Sequence, residues 1–332
     1  MKTCIDAFKN LYIEVKQDNN LQVSSCCLLS TQPAESINFQ KNYYLNHIRT
    51  EWSSNQFPCE CNACNQVELD GSISRRQGSN QWYKDHGYDN TQVELIRIDY
   101  WTGDLCNLAC VICGPHYSSA WKQELKWLKE NKKTVINQSW NLLDLTGLKF
   151  IHFNGGEPLL SKEHVKFLHA IPNKQQVHIN YNTNGTVCPD NDLLDLWKQF
   201  KLVQLDFSID DVSNRFEYQR YPAKWNQVTS NLQWFIDHAP HNCMFATNTS
   251  VGVLNRDNLH NLTEWLQTHF HTSSYNDPIE HRQQPVDGLF SLVNCGKRQQ
   301  EILNFLEACD QRRGTNWKQV FPNLLDYLQT DK

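Results

Sequence analysis

The chain has 332 residues, 31 Lys and Arg against 36 Asp and Glu, and a formal net charge of −5, which excludes binding of nucleic acid through bulk positive charge. It is long enough to bury a full α/β core, to which eleven tryptophans add large apolar faces. No apolar run approaches the about 20 residues that span a bilayer, and Met1 to Asp6 lacks the basic and then apolar regions of a secretory signal, so a cytoplasmic protein with neither membrane nor nucleic-acid partner is expected.

Thirteen cysteines in such a chain point to metal ligation rather than disulfides. Cys4, Cys26, Cys27, Cys59, Cys61 and Cys64 come first. Leu11 to Val15 reads as a strand, Asp18 to Asn20 as a turn and Leu21 to Val23 as the returning strand. Such a hairpin brings Cys4 and Cys26 together. With the C-x-x-C pair Cys61 and Cys64 they form a candidate four-thiolate metal site. If Cys26 points inward, Cys27 points to the opposite face, because strand side chains alternate. A structural zinc knuckle and an iron–sulfur cluster both use such a set. The pairs Arg75 and Arg76, and Arg312 and Arg313, read as solvated faces.

The apolar run Leu95 to Trp101 leads into Cys106, Cys110 and Cys113, a C-x-x-x-C-x-x-C loop. Three thiolates at this spacing can hold three irons of a [4Fe-4S] cube, and no fourth cysteine follows at a similar interval. One iron is then open to an exogenous ligand, which argues for chemistry rather than electron transfer alone. The alternative is a Cys3His zinc loop that takes in His116 or a distant cysteine.

Beyond the loop, β-like runs alternate with helical stretches. Helices are expected at Ser118 to Glu130, Lys162 to Ala170, Asp190 to Phe200, Trp225 to His238 and Asp257 to His269. Strands are expected at Phe150 to Phe153, Val177 to Gly185, Val203 to Asp211 and Phe245 to Asn255, with Leu289 to Val293 as the last. Alternation of this kind reads as βαβ units, hence an α/β fold with a partial (β/α)6 barrel. Asn276 to Pro285 reads as a polar loop at the substrate mouth. Helices follow at Gln299 to Arg312 and beyond the break at Gly314 to Trp317. Three domains are expected: a cysteine-rich module over 1–90, the barrel over 91–295 and a helical extension over 296–332. His152 and His178 read as interior groups, Asp206 as a strand carboxylate paired with Arg97 or a backbone amide, and Cys188, Cys243, Cys295 and Cys309 as small hydrophobes.

In parallel sheets, ligands bind at the carboxyl ends of the strands. The cysteine loop, Gly155 to Pro158, Thr183 to Gly185, Ser208 to Asp211 and Val251 to Asn255 all fall there. The cysteine triad, followed by Asn154-Gly-Gly-Glu-Pro158 at the end of the next strand, resembles the radical S-adenosylmethionine (SAM) superfamily. That resemblance implies a SAM-binding [4Fe-4S] cluster on Cys106, Cys110 and Cys113, and reductive cleavage of SAM to a 5'-deoxyadenosyl radical. It further implies SAM contacts from Asn154, Gly155, Gly156, Glu157, Pro158, Asn184, Ser208, Asp210, Arg220 and Val253. Glu157 would hold the amine, Ser208 and Arg220 the carboxylate, and Gly156 would leave room for the methionine moiety.

The N-terminal order of cysteine, hairpin, Cys26-Cys27, Cys61-Asn-Ala-Cys64 and then Glu68, Gly71, Ser74 and Arg75 resembles the Twitch or half-SPASM module of radical SAM proteins, here ahead of the barrel. It departs from that pattern in Ser25 and in the extra Cys59. The resemblance implies an auxiliary [4Fe-4S] cluster on Cys4, Cys26, Cys61 and Cys64, an external electron donor such as flavodoxin or ferredoxin, and a peptide or small-metabolite substrate. A non-catalytic iron–sulfur or zinc protein, acting as redox partner or scaffold, is the rival from another class.

Overall fold

Along the middle of the chain, side chains alternate between two environments. Ile151 and Phe153, Ile179 and Tyr181, and Val203, Leu205 and Phe207 are buried against helical residues such as Phe167, Trp197 and Phe235. Their neighbours Asn154, Asn180, Asn182 and Gln204 are less buried and lie on the other face, as the period of two in an extended chain requires. The result is a sheet with an apolar back under helices and a polar front.

The computed structural model describes residues 3–15, 21–33, 38–126, 143–270, 280–285, 288–292 and 295–330. Its strands are β1 (Asn10–Val15), β2 (Leu21–Ser24), β3 (Gln32–Pro33), β4 (Arg97–Trp101), β5 (Phe150–Asn154), β6 (His178–Thr183), β7 (Leu202–Ser208), β8 (Cys243–Val251) and β9 (Glu280–Pro285). They form one sheet in the order β3-β2-β1-β4-β5-β6-β7-β8-β9. Every neighbouring pair from β4 to β9 is parallel. The hairpin of β1 and β2 is antiparallel, and β1 is hydrogen-bonded in parallel to β4, so the N-terminal strands continue the barrel sheet.

The helices are α1 (Asp6–Lys9), α2 (Tyr43–Ser53), α3 (Asn62–Leu69), α4 (Arg75–Asp85), α5 (Ser119–Glu124), α6 (Lys162–Ala170), α7 (Asn191–Trp197), α8 (Ser213–Gln219), α9 (Trp225–His238), α10 (Leu259–His269), α11 (Gln299–Arg313), α12 (Trp317–Val320) and α13 (Leu324–Thr330). Caps set several starts: Ser118, Asp190 and Ser74 accept from the backbone N–H three residues on, at α5, α7 and α4. Gly314, at φ 66°, ends α11 in the left-handed region that glycine tolerates. Helices α11 to α13 bury Ile302, Leu306, Trp317, Phe321 and Leu328 against Val111 of the cysteine loop and against Val253 and Leu254 beyond β8. No helix among the described residues is long and apolar enough to cross a membrane.

Two expectations need correction. The last strand is β9, within the segment read as a loop, while Leu289 and Phe290 lie in a 3₁₀ turn, Gly288–Phe290. Strand β9 (EHRQQP) pairs with β8 through its backbone, and Arg282 forms ion pairs with Asp206 (2.8 Å) and Glu280 (2.6 Å). Backbone pairing at a sheet edge needs no apolar side chains, so hydrophobic periodicity could not reveal this strand. Helix α8, like α2 to α4, lies where no helix is expected; Ser213 to Gln219 has only Phe216 and Tyr218 as apolar anchors. The turn at Asp18 to Asn20, residues 127–130 of the helix expected from Ser118 to Glu130, residues 276–279 and Val293 lie outside the described residues.

His164 in α6 is fully buried, edge-on to Phe153 and Tyr181 at 5.3 and 5.5 Å between ring centroids. Its Nδ1 hydrogen-bonds to the Ser161 carbonyl, and its Nε2 has no partner among the described residues. Burial lowers its pKa from the ordinary 6.5 to about 4. The unfolded chain therefore binds this proton more readily. The stability this site contributes is present above the unfolded pKa and is lost as pH falls through that window. Unfolding of the chain and of His164→Gln, followed from about pH 7 to about pH 4, should show the wild type losing stability faster. A difference that does not change with pH would refute this.

Candidate active site and the N-terminal cysteine pocket

The cysteine loop leaves β4 and is fastened on several sides. Ser119 Oγ accepts from Cys106 N at 3.0 Å and donates to Cys106 O at 2.9 Å, and Trp121 Nε1 donates to Cys110 O at 2.8 Å. Ala109 N and Val111 N donate to the carbonyls of Tyr221 and Gln219, both at 2.7 Å. Cys110 is buried, and Cys106 and Cys113 are partly so. Burial pushes all three thiols above their ordinary pKa. The charge of Cys113 adds to this at Cys106 and Cys110, while Arg220 pulls Cys110 and Cys113 down.

The spacing of the sulfurs tests what the loop can hold. Tetrahedral zinc with Zn–S bonds of about 2.3 Å keeps sulfurs about 3.8 Å apart. Among the described residues, no three ligand atoms from these cysteines and His116 lie within 4.8 Å of one another, and His116 is exposed. The loop therefore presents no preformed three-ligand zinc set with His116, and a donor set of three thiols suits three corners of a [4Fe-4S] cube. Arg220, a buried cation beside two of the thiols, offsets the negative charge that thiolate ligation brings.

The loop after β5 is pressed onto the cysteine loop. Gly156 N donates to Gly103 O at 2.8 Å and Glu157 N to Leu105 O at 2.7 Å. Gly155 has φ +131°, and a Cβ there would lie 2.6 Å from Gly103 O. A Cβ on Gly156 would lie 2.4 Å from Leu105 O, so the crowding at this glycine comes from the protein's own backbone. Glu157 is fully buried and accepts from Thr183 Oγ1 (2.8 Å), Asn184 N (2.7 Å) and Leu159 N (3.1 Å), which ties β5 to the end of β6. Burial raises its pKa to about 7 against these donors. Pro158 opens a buried 3₁₀ turn.

Asn184 Nδ2 lies 3.0 Å from Asn107 Oδ1 and 4.0 Å from Cys106 Sγ. Asp210 accepts from Ser250 N and forms a 2.8 Å ion pair with Arg220, whose Nε has no partner among the described residues. The motif residues Asn154 to Pro158, Asn184, Asp210 and Arg220 thus gather around the cysteine loop. Ser208 is half-buried at the end of β7, and Val253 is buried with its N–H on Phe290 O at 3.0 Å.

Residues 102–266 match the Radical SAM superfamily. The chain carries a radical SAM domain over those residues. It is 29% identical over 101 residues to a GTP 3',8-cyclase of Clostridium acetobutylicum, covering 29% of this chain and 29% of that one. It is 32% identical over 84 residues to a 7-carboxy-7-deazaguanine synthase of Rhodopirellula baltica, covering 25% of this chain and 30% of that one. The chain therefore matches less than a third of the length of these curated relatives. Among solved structures, native anSMEcpe with bound AdoMet has a TM-score of 0.43 at 13% identity, covering 67% of this chain and 63% of that one. SuiB of Streptococcus suis bound to S-adenosylmethionine has a TM-score of 0.43 at 10% identity, covering 92% and 70%.

Ahead of the radical SAM domain, cysteines gather a second time. Cys4, Cys26, Cys61 and Cys64 line one pocket of about 400 Å³, open mouth included, together with Asp6 and Arg75. Cys27 and Cys59 are exposed and do not line it. Glu68 accepts from Ser74 Oγ (2.6 Å) and from Arg76 Nε (2.8 Å) and Nη2 (2.6 Å), closing the turn between α3 and α4 beside Cys64.

The paired arginines are not solvated faces. Arg75 reaches Asp99 at 2.9 Å, Arg76 binds Glu68, Arg312 and Arg313 bind Glu124, and Arg313 Nη2 donates to Ala109 O in the cysteine loop at 2.8 Å. Most of these partners are distant in sequence, so a two-residue charge run could not disclose them. Asp206 takes Arg282 as its partner, and Arg97 pairs with Asp99. Cys243, Cys295 and Cys309 are fully buried, as small hydrophobes would be.

Proposed function

We propose that this chain is a radical SAM enzyme whose catalytic cluster is held by Cys106, Cys110 and Cys113. The observation that carries the reading is the three-thiol loop clamped under Gly155 to Pro158 by the backbone bonds from Gly156 N and Glu157 N. With SAM, a [4Fe-4S] cluster there supplies a 5'-deoxyadenosyl radical. The protein's part is to fix geometry and exclude water. Glu157 and Asn184 hold the β5 and β6 ends around the site, and Arg220, fixed by Asp210, presents a buried cation suited to a carboxylate. Anaerobic reconstitution, reduction and assay of 5'-deoxyadenosine test this, and no product from a fully loaded chain would refute it.

We infer further that the N-terminal pocket holds an auxiliary [4Fe-4S] cluster on Cys4, Cys26, Cys61 and Cys64. In support, the four thiols share one pocket, beside Asp6 and Arg75. The substrate we place at the sheet's polar front is a peptide. Asn154, Asn180, Asn182, Gln204 and Asn248 offer carboxamides suited to main-chain N–H and C=O groups, and the Oδ1 atoms of Asn154 and Asn248 are buried without a partner among the described residues. An external flavodoxin or ferredoxin and a reducing cytoplasm complete the reading. Transfer of deuterium from a labelled peptide into 5'-deoxyadenosine tests the substrate class; transfer only from small metabolites would overturn it.

A further inference from the structure

We propose that the outer wall of the N-terminal pocket carries a separate divalent-cation site, chemically matched to Zn2+, formed by His47, Glu51 and Glu60 with Cys59 as fourth ligand. His47 and Glu51 stand one turn apart on α2 and so share a face. After α2 the chain folds back, with Phe57 packed edge-on against Trp52 at 4.7 Å, and the 3₁₀ turn Cys59–Cys61 sets Glu60 opposite that face. His47 Nε2 lies 3.3 Å from Glu60 Oε1 and 3.7 Å from Glu51 Oε1, and the three ligand atoms all fall within 4.8 Å of one another. Among the described residues this is the one such group of three.

The distances decide what would fit. Zinc bonds to nitrogen and oxygen of about 2.0–2.2 Å give a tetrahedron with edges of about 3.4 Å. The two ion-pair distances bracket that edge, and the third separation is within 4.8 Å. Cys59 Sγ lies 3.3 Å from Glu60 Oε2, outside the triad, on an exposed side chain next to Glu60 in the chain, and is the fourth ligand of the proposal. Neither carboxylate has a lysine or arginine partner among the described residues, so a cation also relieves their repulsion. A donor set of one imidazole, two carboxylates and one thiolate suits zinc rather than calcium or an iron–sulfur cluster. The site also gives Cys59, which does not line the pocket, a role. It would pin the segment that carries Cys61 and Cys64 to α2, and it uses none of the four pocket cysteines.

The test is zinc titration of the anaerobically reconstituted full chain against a chromophoric chelator, with iron measured in the same samples. One zinc per chain is expected without loss of iron. His47→Gln and Glu60→Gln should each weaken it by more than the roughly 10–100-fold that losing an outer-shell partner costs. Iron content should stay unchanged in both, which shows that the variants fold. Cys59→Ser should weaken binding and should abolish the thiolate-to-metal band of the Co2+ form. No zinc held against the chelator would overturn the proposal. So would titrations identical in His47→Gln and wild type, or zinc that displaces iron, since the ion would then sit in the cysteine pocket. A failed auxiliary cluster would leave the zinc result intact, so the two readings fall separately.

Discussion

Replacing Cys106, Cys110 and Cys113 together with alanine should abolish 5'-deoxyadenosine formation and lower the iron of the anaerobically reconstituted chain from about eight atoms to about four. The loop has no spare thiol of its own, and Cys243, Cys295 and Cys309 are fully buried in apolar clusters, Cys309 in the one against which Cys113 packs. Cys110→Ala alone should act almost as strongly, because Cys110 is buried and its carbonyl is held by Trp121, which prevents the loop from sliding to offer another group. The iron that remains in the triple variant reports on Cys4, Cys26, Cys61 and Cys64. About four iron atoms with a four-iron spectrum support the auxiliary cluster, whereas zinc without iron at those cysteines makes them a structural knuckle. Any 5'-deoxyadenosine from the triple variant would remove the catalytic assignment altogether.

What the sequence disclosed was local, and what it hid was tertiary. Lys162 to Ala170 and Trp225 to His238 form helices over their expected spans, because the apolar positions of each repeat along one face and their ends fall at Ile171 and Ala239, where the backbone becomes extended. The hairpin over β1 and β2 was legible from strand alternation, and with it the meeting of Cys4 and Cys26 in one pocket. Strand β9 was not, since its register on β8 is set by backbone groups that every sequence carries. Nor were the roles of Arg75 and Arg313, which depend on carboxylates and carbonyls brought close only by folding. Gly155 and Gly156 were recognised as motif residues. Why both must be glycine emerges only when Gly103 and Leu105 are seen against them.

That contact gives Gly156→Ala a large expected effect. The added Cβ would lie 2.4 Å from Leu105 O, 2.7 Å from Leu105 C and 2.8 Å from Asp104 C, all backbone atoms that cannot swing aside as a flexible side chain would. Relief requires the two loops to part, which strains the hydrogen bonds from Gly156 N to Gly103 O (2.8 Å) and from Glu157 N to Leu105 O (2.7 Å). Overpacking combined with two weakened hydrogen bonds should cost on the order of 3 kcal/mol. Because the clash is internal, the loss should appear in denaturant unfolding of the anaerobic chain before cluster assembly and without SAM. Gly78 supplies the control: it sits inside α4, a Cβ there meets nothing within 4 Å, and Gly78→Ala should stabilise the chain by about 0.5–1 kcal/mol. If Gly156→Ala leaves the unfolding midpoint of the cluster-free chain unchanged and weakens only SAM binding, the glycine's role is to make room for SAM, and its packing against the cysteine loop is incidental.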